Sequence, residues 1–513
     1  MRTERFLQNS FGVVIRQIVA VVLNFAVRTV FIYTLGMKYL GISGLFTNVL
    51  SVLSLAEMGL GTVIQYSMYK PMAEGNEEKL LALLDLYKKA YRIIALVIAA
   101  AGLLLIPFIP SLIEGDYPEN EILVYYLLYL FNTVSSYFVV YKQSLLTADQ
   151  KIYVNTIYQT VMQVIKSIMQ MVLLLVFGNF LLYLLTEICA TILKNILLVF
   201  KINRMYPFLK RKGTYRLDRE EKKPIMKNVF AMFHHMAGCK VLTSTDNIII
   251  SSNLGLLVEG IYDNHVLVIN AVTSFMEYIY TVLLSEVGNM VATEKEEKVY
   301  RSFSYIYFAS FWLYSFCSLC FAVLMEPLMV LWVGEENAFG KQISILLAVQ
   351  FFIYGIRKTP LVFKEVMGLM WQDRLKPFLE AGINLVVSLY LVRRIGVPGV
   401  ILGTIISMVS TSLWVEPYVL YKDGFKRPLM AFWKNFLKYL AGFLPIALAV
   451  DFLCAQIPLA GLSALLVKGI VILISFNLLV CLLFFKNPEF KELMNLVRQL
   501  AGKVDLNRKK DMI

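Results

Sequence analysis

The stretch Phe11-Gly-Val-Val-Ile-Arg-Gln-Ile-Val-Ala-Val-Val-Leu-Asn-Phe-Ala-Val-Arg-Thr-Val-Phe-Ile-Tyr-Thr-Leu35 decides the fold class. As a helix rising about 1.5 Å per residue, it covers a hydrocarbon core roughly 30 Å thick. The basic residues before it, Arg2 and Arg5, resemble the start of a signal peptide, but the apolar run is too long and has no small-residue cleavage site. It reads instead as the first of many membrane spans. Similar runs recur along all 513 residues, of which 58% are hydrophobic and 17% charged, at a mean hydropathy of +0.66. Soluble domains do not have that composition. A single anchor bearing a catalytic head is excluded too, because no polar stretch is longer than the 28 residues from Lys486 to Ile513.

Apolar windows and their breaks predict an all-α polytopic protein of about fourteen helices, near 11–34, 42–68, 90–113, 122–146, 154–177, 180–202, 228–253, 265–292, 302–333, 342–363, 377–392, 397–421, 435–456 and 463–485. With the N-terminus inside, cytoplasmic segments carry 33 of the 49 basic residues, external loops 4 and the spans 12. This bias predicts that both termini are cytoplasmic. It also explains the net charge of +13 without nucleic acid. The loop 203–227 holds nine basic residues and divides six spans from the next six. The expected organisation is an N-lobe (1–202), a basic cytoplasmic linker (203–227) touching anionic lipid heads, and a C-lobe (228–421), followed by two further helices and a tail (422–513). The two six-helix lobes would surround a central cavity. All six cysteines fall in predicted spans, so disulfides are not expected, and Cys317 and Cys320 lack the second pair that a zinc site requires.

Polar side chains inside spans are costly unless they meet water, an ion or one another, so the faces they share are informative. At 100° per residue, Gln159, Gln163, Lys166 and Gln170 fall within about 60° of each other. Lys166 lies too deep in its span to reach the surface easily. Arg28 shares a face with Gln17 and Asn24, and Lys194 aligns with Glu187 and Thr191. Lys240 belongs to the most polar span, together with His234, His235, Asp246 and Asn247. Two readings follow: interhelical hydrogen bonds, or a hydrated cationic cavity lined by Arg28, Lys166, Lys194, Lys240, Gln159, Gln163 and Gln170. Intramembrane acids include Glu57, Asp246, Glu277, Glu380 and Asp451, with Asn384 one turn beyond Glu380. Asp246 is read either as a partner of Lys240 or as a cation or proton ligand. No Walker nucleotide loop is present, and no long external loop carries the acidic pairs expected of a membrane glycosyltransferase. Prolines 107, 110, 327, 360 and 445 can kink spans in a way that suits alternating access.

Leu35-Gly-Met-Lys-Tyr-Leu-Gly-Ile-Ser-Gly-Leu-Phe46, with Leu53-Ser-Leu-Ala-Glu-Met-Gly-Leu-Gly61 and Tyr69-Lys-Pro71, resembles polysaccharide flippases of the Wzx type. These belong to the MOP exporter superfamily, which also holds the lipid II flippase MurJ and the MATE drug exporters. Thr245-Asp-Asn-Ile-Ile-Ile-Ser251 with Tyr262 is similar to the seventh helix of such proteins. The resemblance implies alternating-access translocation of an undecaprenyl-diphosphate oligosaccharide across a bacterial cytoplasmic membrane. It further implies a surface-glycan pathway, with a polysaccharide polymerase and export machinery as partners. A cationic cavity suits a diphosphate. No cofactor is expected beyond a coupling Na+ or H+, for which Asp246, Glu380, Asn384 and Thr404 are the candidates by position in the family. A cation-coupled drug exporter is the alternative, and a membrane glycosyltransferase a more distant one.

Overall fold

The computed structural model describes residues 2–54, 60–113, 119–149, 151–211, 217–218, 220–223, 225–226, 229, 245–495 and 498. Its helices in chain order are α1 (Arg2–Leu35), α2 (Met37–Leu53), α3 (Leu60–Ala73), α4 (Glu77–Leu105), α5 (Glu119–Ala148), α6 (Ile152–Phe177), α7 (Phe180–Met205), α8 (245–254) and α9 (Leu256–Thr293). They continue as α10 (Glu296–Val333), α11 (Lys341–Ile356), α12 (Lys358–Val366), α13 (Lys376–Ile395), α14 (Val397–Ser410), α15 (Ser412–Val419), α16 (Met430–Ala455) and α17 (Gly461–Phe484). Among the described residues eleven helices are long and apolar enough to cross a membrane, which makes this a multi-pass membrane protein.

The difference from fourteen has local causes. The predicted span 42–68 is divided between α2, 17 residues long, and α3. Most of the predicted span 228–253 lies outside the described residues, among them His234, His235 and Lys240, as does Glu57. Glu380, Asn384, Ser388, Arg393 and Arg394 make α13 less apolar than its neighbours. In addition, α9 begins at Leu256, nine residues before the predicted start, so Glu259 and Asp263 belong to a helix and not to an external loop.

Contacts divide the chain into Met1–Val266 and Leu267–Ile513. In the first unit α1 packs on α6, α6 and α5 on α7, and α4 on α5. Because lipid is as apolar as a leucine side chain, close backbone approach and polar contacts hold such helices together more than burial does. Gly41 and Gly260 show this where α2 crosses the start of α9. A Cβ on Gly41 would lie 2.0 Å from the Leu256 carbonyl oxygen, and one on Gly260 would lie 2.4 Å from that of Met37. In the second unit α13 packs on α14, α10 on α11, and α16 and α17 on α10. Its core is aromatic: Phe303, Tyr307, Phe308, Phe432 and Tyr439 are all buried and in mutual ring contact.

Candidate functional site

The first polar cluster is built by the α6–α7 hairpin. Gly178 takes a left-handed φ of 56° that ends α6, and the Asn179 side chain caps α7 by accepting from the Leu182 N–H at 3.2 Å. This tight reversal sets Lys166 and Gln170 opposite Glu187. The Lys166 ammonium donates to Glu187 Oε1 at 3.0 Å and lies 2.9 Å from Oε2, while the Gln170 amide donates to Oε2 at 3.1 Å. Lys194, two turns along α7, is half-buried within electrostatic reach of both Lys166 and Glu187. Among the described residues Lys194 makes no ion pair, so two lysines share one carboxylate. Gln163 reaches Asn24 of α1 at 3.4 Å, and Gln159 is half-buried on the same helix. Toward the far end of α1 an aromatic layer closes over these groups, with Phe31 against Tyr183 and Phe180 against Tyr125 and Tyr39.

Arg28 is neutralised separately. Its guanidinium donates to Asp263 at 2.6 Å, a pair of residues 235 positions apart in sequence. Asp263 lies one turn beyond Glu259 on α9, and the Asn247 amide of α8 donates to Glu259 at 3.0 Å. Gly255, at φ 87°, lets α9 begin one residue after α8 ends and so brings Asn247 and Glu259 together. Asp246 is buried beside them, within electrostatic reach of Tyr262.

In the second unit Glu380, Asn384 and Thr404 sit on the α13–α14 pair. Asn384 donates to the Thr404 hydroxyl at 2.8 Å, and Gly403 lets the helices close until a Cβ there would lie 2.1 Å from Ser388 Oγ. Both oxygens of Glu380 are occupied, one by Arg357 at 3.1 Å and the other by the Ser412 hydroxyl. Arg357 also grips Glu416, through Nη2 at 3.0 Å and Nε at 3.4 Å. Lys376 pairs with Glu416, and Lys364 with Asp373. Three cations thus meet three carboxylates in a buried, charge-balanced network. Glu277 takes the Tyr354 hydroxyl at 2.7 Å and pairs with Lys358. Four of the charged candidates are therefore answered within their own unit, Lys166 by Glu187, Arg28 by Asp263, Glu380 by Arg357, and Glu277 by Lys358, whereas Lys194, among the described residues, is not.

Sequence reasoning missed Asp263 and Glu259: two like charges at i, i+4 disfavour a helix, so no local signal placed them in one. It also missed Arg357 and Glu416. A lone carboxylate in the otherwise uncharged run 397–421 required a cation somewhere, but periodicity does not say on which helix.

Length, apolarity and inward-facing ion pairs define a helical, multi-pass membrane protein with polar groups held inside its spans. No protein-family model matches the sequence, and no curated protein matches it. Solved structures do. The chain is similar to the lipid II flippase MurJ in an inward closed conformation, at a TM-score of 0.66 and 14% identity over 94% of this chain and 99% of that one. It is also similar to an inward-facing multidrug resistance MATE family transporter of the MOP superfamily (TM-score 0.57, 14% identity, 78% of this chain and 94% of the other). The Vibrio cholerae MATE transporter VcmN in its bent form matches at 0.52 and 14% identity, over 83% of this chain and 98% of that one. At such identities the likeness establishes the fold: this chain is folded like MurJ and the MATE transporters.

Proposed function

We propose that the protein is a flippase that carries an undecaprenyl-diphosphate-linked oligosaccharide from the cytoplasmic to the outer leaflet by alternating access, in a surface-glycan pathway. The observation that carries this reading is the unequal sharing at the α6–α7 hairpin, where Lys166 and Lys194 have one carboxylate, Glu187, between them. A half-buried surplus of positive charge inside spans is stable when an anion meets it, and a diphosphate supplies oxygens suited to ammonium groups. The 94% coverage by the lipid II flippase MurJ supports the same class of cargo. In this reading 1–202 and 228–421 are the two lobes and 203–227 is their cytoplasmic linker. A polymerase and export machinery would act downstream.

The MATE-like folds and the acids Asp246, Asp263 and Glu259 favour a second reading, a cation-coupled exporter of amphiphilic drugs. Vesicles containing the purified protein separate the two. A fluorescent undecaprenyl-diphosphate glycan should be translocated and a cationic dye should not; the reverse result would install the second reading. Lys194→Gln and Lys166→Gln should each reduce glycan translocation at least tenfold without loss of insertion, and Lys166→Arg should keep part of it because the charge survives. In the same vesicles an imposed Na+ or H+ gradient should alter the rate through Asp246, and Asp246→Asn should remove that response.

A further inference from the structure

The start of α9 carries two carboxyls one turn apart and treats them differently. Asp263 keeps a fifth of its side chain accessible and holds the Arg28 guanidinium at 2.6 Å. Glu259 is wholly buried. Its Oε1 accepts from the Asn247 amide at 3.0 Å, and its Oε2 has no hydrogen-bond partner among the described residues. From the other side α2 presents bare backbone, since a Cβ added to Gly44 would lie 2.1 Å from Oε1 and 2.9 Å from Oε2. Among the described residues, the charged and polar groups that face the carboxyl are Asp263 on its own helix, Arg28 from α1 and Asn247 from α8, with Tyr262 and Asp246 adjoining.

An ionised carboxylate taken out of water needs several donors or a cation. Among the described residues Glu259 has a single amide donor, which a neutral carboxylic acid accepts equally well. On the side of α2 the carboxyl is packed so closely that not even a methyl group fits between it and Gly44. The nearby cation, Arg28, is committed to the neighbouring acid. We propose that Glu259 is a proton-binding site: its carboxyl carries a proton while Arg28 holds Asp263, and the proton passes to Asp263 when Arg28 turns one helical turn to Glu259. The exchange is balanced, because one proton and one guanidinium are shared by two carboxyls before and after it. Asp263, the accessible member, is the door to water. This proposal depends on no assumption about cargo.

Infrared spectra of the purified full-length protein in detergent at neutral pH test it. The wild type should show a protonated-carboxyl stretching band that is lost in Glu259→Gln. In Asn247→Ala the band should move to higher frequency, because the carboxyl loses its one hydrogen bond. In Asp263→Asn the band should disappear, since Arg28 is then free to pair with Glu259 and ionise it. A band that persists in Glu259→Gln, or one unmoved by Asn247→Ala, overturns the assignment. Its survival in Asp263→Asn overturns the exchange. A sodium-dependent carboxylate band in place of the protonated one would make the site a cation site and likewise overturn the proposal. Should Glu259→Gln fail to insert, the Asn247→Ala shift decides alone.

Discussion

A buried carboxylate is held in place by the donors around it, and the acids of this chain show a graded series. Glu416, with no exposed surface, is held by Arg357 and Lys376; Glu380 by Arg357 and Ser412; the half-buried Glu187 by Lys166 and Gln170; and Glu259, among the described residues, by Asn247 alone. Removing one member of a fully desolvated set strands its partners, which costs about 3–5 kcal/mol, more than a well-packed apolar replacement of the whole set would. Glu416→Gln should therefore lower the melting point in detergent, as followed by fluorescence-detected size exclusion, by the equivalent of about 3 kcal/mol. Adding Arg357→Met should restore part of that loss, since two cations, Lys364 and Lys376, then remain with two carboxylates, Asp373 and Glu380, and the cluster is again charge-balanced. If the two single effects simply added, Arg357 and Glu416 would not be coupled and the network would be an arrangement of independent surface-like pairs.

Helices were legible in the sequence to the extent that lipid dictates them. Twenty apolar residues are a requirement of the bilayer, and α6, α7, α10, α16 and α17 lie close to where the hydropathy puts them. Where polar groups enter a helix, the same signal fails. The run from Leu256 looks like loop because it carries Glu259, Asp263 and Asn264, all of which the structure folds into α9, with Glu259 and Asn264 buried. Faces were legible as well. The stripe Gln163, Lys166, Gln170 does point toward neighbouring helices, because a 3.6-residue period fixes direction. Partners were not, because no local rule connects Arg28 to a residue 235 positions away. The glycines are the intermediate case: Gly41 and Gly44 lay within the stretch that suggested a family, and their physical task, letting α2 touch Leu256 and Glu259, emerges only once both helices are placed.

At the scale of the whole chain, the ion pairs within each unit sort the loops into two sets. Arg211 meets Glu77 at 2.6 Å and Lys79 meets Glu221 at 2.6 Å, so the segment after α7 lies at the end of the first unit where α4 begins. The hydrogen bond from Lys79 holds the Glu221 carboxyl below its usual range. Tyr206, just past α7, donates to Asp149 at 2.7 Å, which puts the α5–α6 turn at that same end. In the second unit Arg301 pairs with Glu492, and Arg427 with Glu297. Every one of these segments is on the side that the Lys/Arg bias predicts to be cytoplasmic. Lys341 and Asp451, which pair at 2.8 Å, belong by the same count to the other side. The grouping within each unit is a matter of geometry, whereas the choice of side rests on the positive-inside rule. Substituted-cysteine labelling in a cysteine-free background decides it. A membrane-impermeant thiol reagent applied to intact cells should leave Arg211→Cys unlabelled and should label Asn337→Cys in the α10–α11 turn. After the membrane is opened, both should react. Labelling of Arg211→Cys in intact cells would invert the protein in the membrane. The cluster of Lys166 and Lys194 would then have to be approached by its anion from the outer leaflet, and the proposed direction of transport would be reversed.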